Sequence, residues 1–200
     1  MGIESVFRLV YIALLLGVAL VSGYFLNNAR QEGARRALRQ EGSVILALRF
    51  GLGLPLLLSL ALIALAPDWM LWSSSPLPVG LRWLGAGLGA LSLLLMVWVF
   101  RSLGSSVTET VLPKDGAQLV QGGPYRWVRH PLYASALLLV LSLGLAAANW
   151  LLVGFAVAGV LVFRLLVIPI EEANLIQAYG QAYEHYRRRT GALFPRLLKK

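Results

Sequence analysis

The chain has 200 residues, of which 58% are hydrophobic and 14% charged, with a net charge of +9 and no cysteine. A soluble domain of this size cannot bury that much apolar side chain, because too little polar surface remains to face water. The lack of cysteine excludes disulfides and thiolate metal centres, and with only His130 and His185 as histidines no metal site is expected. A basic balance suits either nucleic acid or the flank of a membrane, and the placement of the charges selects the membrane.

Five apolar stretches approach the roughly 20 residues that a spanning helix requires. They run from about Val6 to Leu26, Val44 to Ala66, Leu81 to Leu103, Pro131 to Ala148, and Trp150 to Ile170. The runs are continuous rather than alternating, which predicts helices and not strands. The first lacks a basic leader, since Glu4 and Arg8 cancel, and a basic segment follows it as in a stop signal, so it is read as retained. Gly85, Gly87 and Gly89 in the third stretch predict close helix packing.

The connections alternate in charge. Asn27–Gly42 carries Arg30, Arg35, Arg36 and Arg39, whereas Pro67–Gly80 carries only Asp68. The link from Gly104 to His130 carries Lys114, Arg126 and Arg129, and the turn at Ala148–Asn149 carries no charge. The tail carries Arg187, Arg188, Arg189, Arg196, Lys199 and Lys200. The positive-inside rule then predicts an outside N-terminus and a cytoplasmic C-terminus, in the cell membrane if the chain is bacterial. The expected fold is all-α and membrane-embedded, a single domain over 1–200 with about five transmembrane helices. From Glu171 to Arg189, Leu175, Ile176, Tyr179, Tyr183 and Tyr186 share one face. That spacing predicts a cytoplasmic amphipathic helix on, or folded under, the inner membrane face.

Two polar clusters stand out on the basic side. In the first, Gly122, Gly123 and Pro124 set a turn, and Tyr125, Arg126, Trp127, Arg129 and His130 lead to Pro131 and Tyr133. His130 precedes a proline and is pushed out of the helical region, while Pro131 suits the first position of the fourth helix. Such a helix start attracts a carboxylate or phosphate. In the second, Pro169 is predicted to kink or break the fifth helix, just before Glu171 and Glu172. Adjacent helical side chains diverge by about 100°, so the two glutamates are expected to have different partners. Arg164 lies deeper in the fifth span, where an arginine is costly and either serves function or snorkels to the interface. Plainer readings stand beside these: Arg126 and Arg129 as interfacial anchors, Trp127 as part of an aromatic belt, and the glutamates as a paired helix start.

Taken together, Leu119-Val120, Gly123-Pro124-Tyr125, Arg129-His130-Pro131-x-Tyr133, Glu171-Glu172 and the spaced Tyr179, Tyr183 and Tyr186 resemble the isoprenylcysteine carboxyl methyltransferase family, which groups with phospholipid methyltransferases. The resemblance covers about Leu103 to Pro195. It implies an integral membrane methyltransferase using S-adenosylmethionine and releasing S-adenosylhomocysteine, with its cofactor region over 114–195. By that resemblance Gln118, Leu119, Val120, Gly123, Tyr125, His130, Pro131, Tyr133, Glu171 and Glu172 bind the cofactor. Gln118 stands where many relatives carry a histidine, and Gly85 and Gly87 are the nearest match to a Gly-x-Gly tied to cofactor binding in phospholipid methyltransferases. Arg129, Arg164 and Glu171 are the residues expected to serve catalysis. The acceptor is expected to be a membrane-borne, lipophilic carboxylate or amine, reached through membrane lipid. A sterol-reductase-like enzyme using NADPH and a non-enzymatic membrane protein are the competing classes.

Overall fold

A computed structural model describes residues 2–29, 43–104 and 119–196. Helix α1 covers Ile3–Ala29. Helix α2 covers Ser43–Leu65 and contains a π turn at Arg49–Gly53, where two glycines and the following Pro55 loosen the regular ladder. A 3-10 turn at Pro67–Ser73 leads to α3, Val79–Leu103. Helix α4 is Pro131–Ala146, α5 runs over Trp150–Tyr179, and α6 is Gln181–Arg189.

Helices α1, α2, α3 and α5 are long and apolar enough to cross a membrane, and α4 is a shorter apolar helix. At 1.5 Å per residue α4 reaches only about 24 Å, against a hydrocarbon core of about 30 Å. Helix α5, by the same rise, is about 45 Å long and carries its last turns clear of the hydrocarbon.

The densest pairing is α3 with α4, followed by α4 with α5, and α1 lies along α3. Small residues make this possible. A Cβ on Gly85 would come within 2.8 Å of the Ala146 backbone nitrogen, and one on Gly89 within 2.9 Å of Ser142 Oγ. Gly87, one step round the helix, faces open space. Tyr11, Leu14, Met96, Phe100, Leu139, Leu143 and Leu152 fill the centre. Phe25 stacks on Phe100 at one end, and Glu4 holds Arg82 at 2.6 Å at the other, so α1 and α3 run parallel. Arg82 is buried and also donates to the Ala146 carbonyl at 3.1 Å, tying three helices together.

The turn between α4 and α5 follows the expected place. Ala148 takes a left-handed φ of 50°, and the Asn149 side chain caps α5 by accepting from the Leu152 N–H at 3.2 Å. Its amide also donates to Ser73 Oγ at 2.7 Å, which anchors the 3-10 turn.

Two expectations are corrected. Pro169 does not break the fifth helix. A π turn over Phe163–Val167 precedes it, in which the Ile168 N–H donates to the Phe163 carbonyl five residues back. That wider turn absorbs the register change a proline imposes, so α5 continues to Tyr179. The tail is also not one helix from Glu171 to Arg189. Glu171 and Glu172 belong to α5, and Gly180, at φ 54°, turns the chain into α6. Helix α6 folds back on the bundle end, burying Tyr183 and Tyr186.

Candidate active site

The residues before α4 are shaped by local chemistry. Gly123 has φ 58°, and a Cβ there would collide with Ser102 Oγ on α3, so the turn needs glycine. A 3-10 turn over Gly123–Arg126 follows. Trp127 then packs edge-on against Trp98 with ring centroids 5.5 Å apart. Beyond it the chain pairs with the tail in parallel: the Arg129 N–H donates to the Gly191 carbonyl at 2.8 Å and the His130 N–H to the Ala192 carbonyl at 3.1 Å. This short pairing satisfies backbone groups at a buried helix start and fixes where Arg129 and His130 point.

The turn before α4 and helix α6 converge on the carboxylates of α5. Arg129 Nε donates to Glu172 Oε1 at 2.8 Å, and its Nη2 lies 2.7 Å from the same oxygen. Its Nη1 donates to the carbonyl of Arg187 at 3.0 Å and to that of Thr190. Arg187 itself comes within 3.7 Å of Glu172 Oε2. His130 presents Nε2 to Glu172 Oε1 at 3.4 Å and Nδ1 to Glu171 Oε2 at 3.2 Å. The two glutamates thus share His130, one on each ring nitrogen, but only Glu172 holds the arginines.

Burial works against a charged His130, but the carboxylates of Glu171 and Glu172 outweigh it and hold its pKa above the ordinary histidine value. A raised folded-state pKa contributes stability in full below the unfolded value of about 6.5, and that contribution is lost as pH rises through the folded value. The melting temperature in detergent should therefore separate wild type from His130→Gln most widely in mildly acidic buffer, with the gap closing as pH rises. A gap that is flat or widens with pH would contradict this charge assignment.

Aromatic rings enclose the cluster. His130 stacks on Tyr133 with centroids 5.6 Å apart and planes 5° from parallel, and Tyr133 meets Phe163 at 4.5 Å. Phe163 sits at the π turn, and Ile45 of α2 packs on the same apolar group. Tyr186 Oη donates to the Tyr125 carbonyl at 2.7 Å. Burial, reinforced by nearby Glu171, pushes the Tyr125 phenol well up, and burial does the same for Tyr183. Both hydroxyls therefore remain protonated donors at neutral pH.

Two buried polar atoms have no hydrogen-bond partner among the described residues, Glu171 Oε2 and Tyr183 Oη. Glu171 Oε2 does lie 3.2 Å from His130 Nδ1, an ion pair when the imidazole is protonated. Buried polar groups are rarely left so, and each one calls for an explanation such as a ligand. Next to the cluster, a cavity of about 370 Å³ opens between α5 and the tail, walled by Arg129, Val160, Arg164, Leu193, Phe194 and Arg196.

Of the residues marked from sequence, Tyr125, Arg129, His130, Tyr133, Glu171 and Glu172 come together here, and Arg164 lines the adjoining cavity. Pro131 is buried at the start of α4, and Gly123 shapes the turn while facing α3. Leu119 and Val120 are half-buried and lead into that turn. Gln118 lies outside the described residues. Gly85 and Gly87 sit at the opposite end of the bundle, about 25 Å along α3 from Ser102 at 1.5 Å per residue, and cannot reach the cluster. Sequence reasoning did not place Phe163, Tyr183, Arg187 or Thr190 in the site. The spacing of Tyr183 and Tyr186 was a signal, but it reads equally as a membrane-facing stripe until the turn at Gly180 is known.

Residues 81–182 match the family model described as phospholipid methyltransferase, just over half of the chain, and the match spans both polar clusters. The chain belongs to the phospholipid methyltransferase family. Among solved structures, this family member resembles the eukaryotic intramembrane Ras methyltransferase, isoprenylcysteine carboxyl methyltransferase, with a TM-score of 0.55 and 20% identity. That likeness covers 94% of this chain and 62% of the other, and at such identity it establishes the fold. Curated relatives include the uncharacterized protein YpbQ of Bacillus subtilis, 38% identical over 60 residues, which are 30% of this chain. They also include the cobalt-zinc-cadmium resistance protein CzcN of Cupriavidus metallidurans, 44% identical over 82 residues, which are 40% of this chain. The matches span only 36% of the length of each of these two relatives. The family match does not favour the sterol-reductase-like alternative.

Proposed function

We propose that this protein transfers a methyl group from S-adenosylmethionine to the carboxylate or amine of a lipophilic acceptor held in the membrane. The observation that carries this reading is the buried Glu171 Oε2, without a hydrogen-bond partner among the described residues, beside the stacked His130 and Tyr133. A ligand with ammonium or hydroxyl donors and a flat base suits that combination of a carboxylate acceptor and aromatic faces. The Tyr183 hydroxyl, which has no hydrogen-bond partner among the described residues, adds a donor on the tail side.

S-adenosylmethionine, when bound, supplies a methyl group already activated on a sulfonium. The protein therefore needs no nucleophilic side chain; it must position the partners and exclude water. Glu171 would accept hydrogen bonds from the bound cofactor, and His130, fixed between two carboxylates, holds Tyr133 in place through ring stacking. Helix α6 and the segment through Leu193 close over the cluster and keep water out. Arg164 would orient a carboxylate acceptor, while Arg129 stays engaged by Glu172 and the tail carbonyls; for an amine acceptor, Glu171 would take the proton. The alternating loop charge supports a cytoplasmic position for this end of the bundle, so that the soluble cofactor enters from the cytoplasm and the acceptor from the bilayer.

Calorimetric titration of detergent-purified protein with S-adenosylhomocysteine tests the reading. Saturable binding to one site at micromolar ligand is expected, with NADPH giving no heat. No heat from S-adenosylhomocysteine at high micromolar concentration would sink the proposal.

A further inference from the structure

The two buried polar atoms that lack a hydrogen-bond partner among the described residues lie on opposite sides of a turn. Glu171 Oε2 belongs to α5 and Tyr183 Oη to α6. They are near enough for the Glu171 charge to bear on the Tyr183 phenol. Between the two helices stands Gly180, with φ 54° and ψ −132°, a backbone that glycine adopts far more readily than any other residue. A Cβ there would meet no atom within 4 Å, so the glycine serves the turn and not a close contact. A ligand arriving from water cannot reach either atom while α6 and the tail are docked.

The bonds that cross this turn are of a kind that water can replace. Arg129 Nη1 donates to the carbonyls of Arg187 and Thr190, and the N–H groups of Arg129 and His130 donate to those of Gly191 and Ala192. Tyr186 Oη donates to the Tyr125 carbonyl. Arg187 and Glu172 pair across the turn at 3.7 Å, but the Arg187 side chain is 45% exposed, and such a pair contributes little. The costly pair, Arg129 with Glu172, joins the segment before α4 to α5 and does not cross the turn. Lifting α6 therefore strands no buried charge. Burial of Tyr183, Tyr186 and Leu193 supplies the rest of the hold. Segments held in this way belong to the low-stability end of a fold.

We infer that α6 and the tail through Leu193 form a lid hinged at Gly180, which opens to admit the ligand and is held shut by a ligand that bridges Glu171 and Tyr183. The identity of that ligand rests on the methyl-transfer reading; the hinge does not. A ligand bonded to both sides favours the closed form by as much as its bonds differ between the two states. Without ligand the Tyr183 hydroxyl adds nothing to closure, since it bonds to nothing among the described residues.

Hydrogen exchange on the whole chain in neutral detergent, resolved to single amides and corrected for intrinsic rates, tests this. The Arg129 and His130 N–H groups report on the lid because their acceptors lie on it. The Ala134 N–H, which donates to the His130 carbonyl, is the reference on the body. Without ligand, Arg129 and His130 should exchange at least about tenfold faster than Ala134, and saturating S-adenosylhomocysteine should slow them by about tenfold or more. Tyr183→Phe should leave the ligand-free rates unchanged and remove most of that slowing, whereas a residue that only packs would shift the ligand-free rates. Gly180→Ala should raise the ligand-free rates of Arg129 and His130 and leave Ala134 as it was, which also shows that the body is folded. Arg129 and His130 exchanging as slowly as Ala134 without ligand would overturn the inference. So would S-adenosylhomocysteine that binds without slowing them, or a slowing that survives Tyr183→Phe. Calorimetry on the same samples keeps the two readings apart. Fast ligand-free exchange with no S-adenosylhomocysteine binding removes the methyl-transfer reading alone, and binding with slow ligand-free exchange removes the lid alone.

Discussion

Glu172→Ala should lower stability by about 3–5 kcal/mol and with it abolish S-adenosylhomocysteine binding. Glu172 is 8% exposed and joins three parts of the chain. Its Oε1 receives Arg129 from the turn before α4 and faces His130 from the residue next to it, and its Oε2 faces Arg187 of α6. Removing it strands the largely buried Arg129 guanidinium without its counter-charge. A buried ion left alone costs more than the pair ever contributed, because it has lost water and gained nothing in return. The fold of the tail over the site depends on the same guanidinium, which also holds the carbonyls of Arg187 and Thr190. Thermal unfolding in detergent reads the first effect and titration calorimetry the second. Glu172→Gln should lie between, since it keeps the shape and one acceptor but not the charge. A melting temperature for Glu172→Ala within a degree of wild type would show that Arg129 and the tail are held by something else.

Glu171→Gln should do the reverse: S-adenosylhomocysteine affinity should fall by about ten- to a hundredfold, with little change in melting temperature. Its Oε2 makes no hydrogen bond among the described residues, so the fold has little to lose there. A hydrogen bond from a charged group contributes about 1.5–3 kcal/mol, which is the range of that affinity loss. Some stability does change at acid pH, because His130 loses one of the two carboxylates that favour its charged form. At neutral pH and above that effect shrinks. The pair of variants is informative because the residues are adjacent and chemically identical. If Glu171→Gln binds S-adenosylhomocysteine as tightly as wild type does, the unpartnered oxygen is not a ligand-binding group and the cofactor lies elsewhere. If both variants lose stability equally, the division of roles between the two glutamates is wrong.

The sequence alone determined that this is an all-α membrane protein, because hydrophobicity is summed over a run of residues and needs no partner to be read. Continuous apolar runs of spanning length mark the helices wherever they pack. The turn at Ala148–Asn149 and the helix start at Pro131 were legible for a similar reason, since proline and turn residues restrict the backbone locally. The grouping of His130 with Glu171 and Glu172 came only from the resemblance to a known family, and 81–182 is also the stretch that matches the phospholipid methyltransferase family.

Only the tertiary structure decided how those residues divide the work. Pro169 reads locally as a kink or break, yet it follows a π turn and the helix carries on to Tyr179. The tail reads as one amphipathic stripe, yet a left-handed Gly180 folds it back, so that Tyr183 becomes part of a buried site and Arg187 a partner of Glu172. Gly85 and Gly87 look alike in sequence, but one meets the Ala146 backbone and the other meets nothing. In each case the outcome depends on which atoms arrive from elsewhere in the chain. Burial, charge compensation and unsatisfied oxygens are properties of that meeting, and no local pattern encodes them.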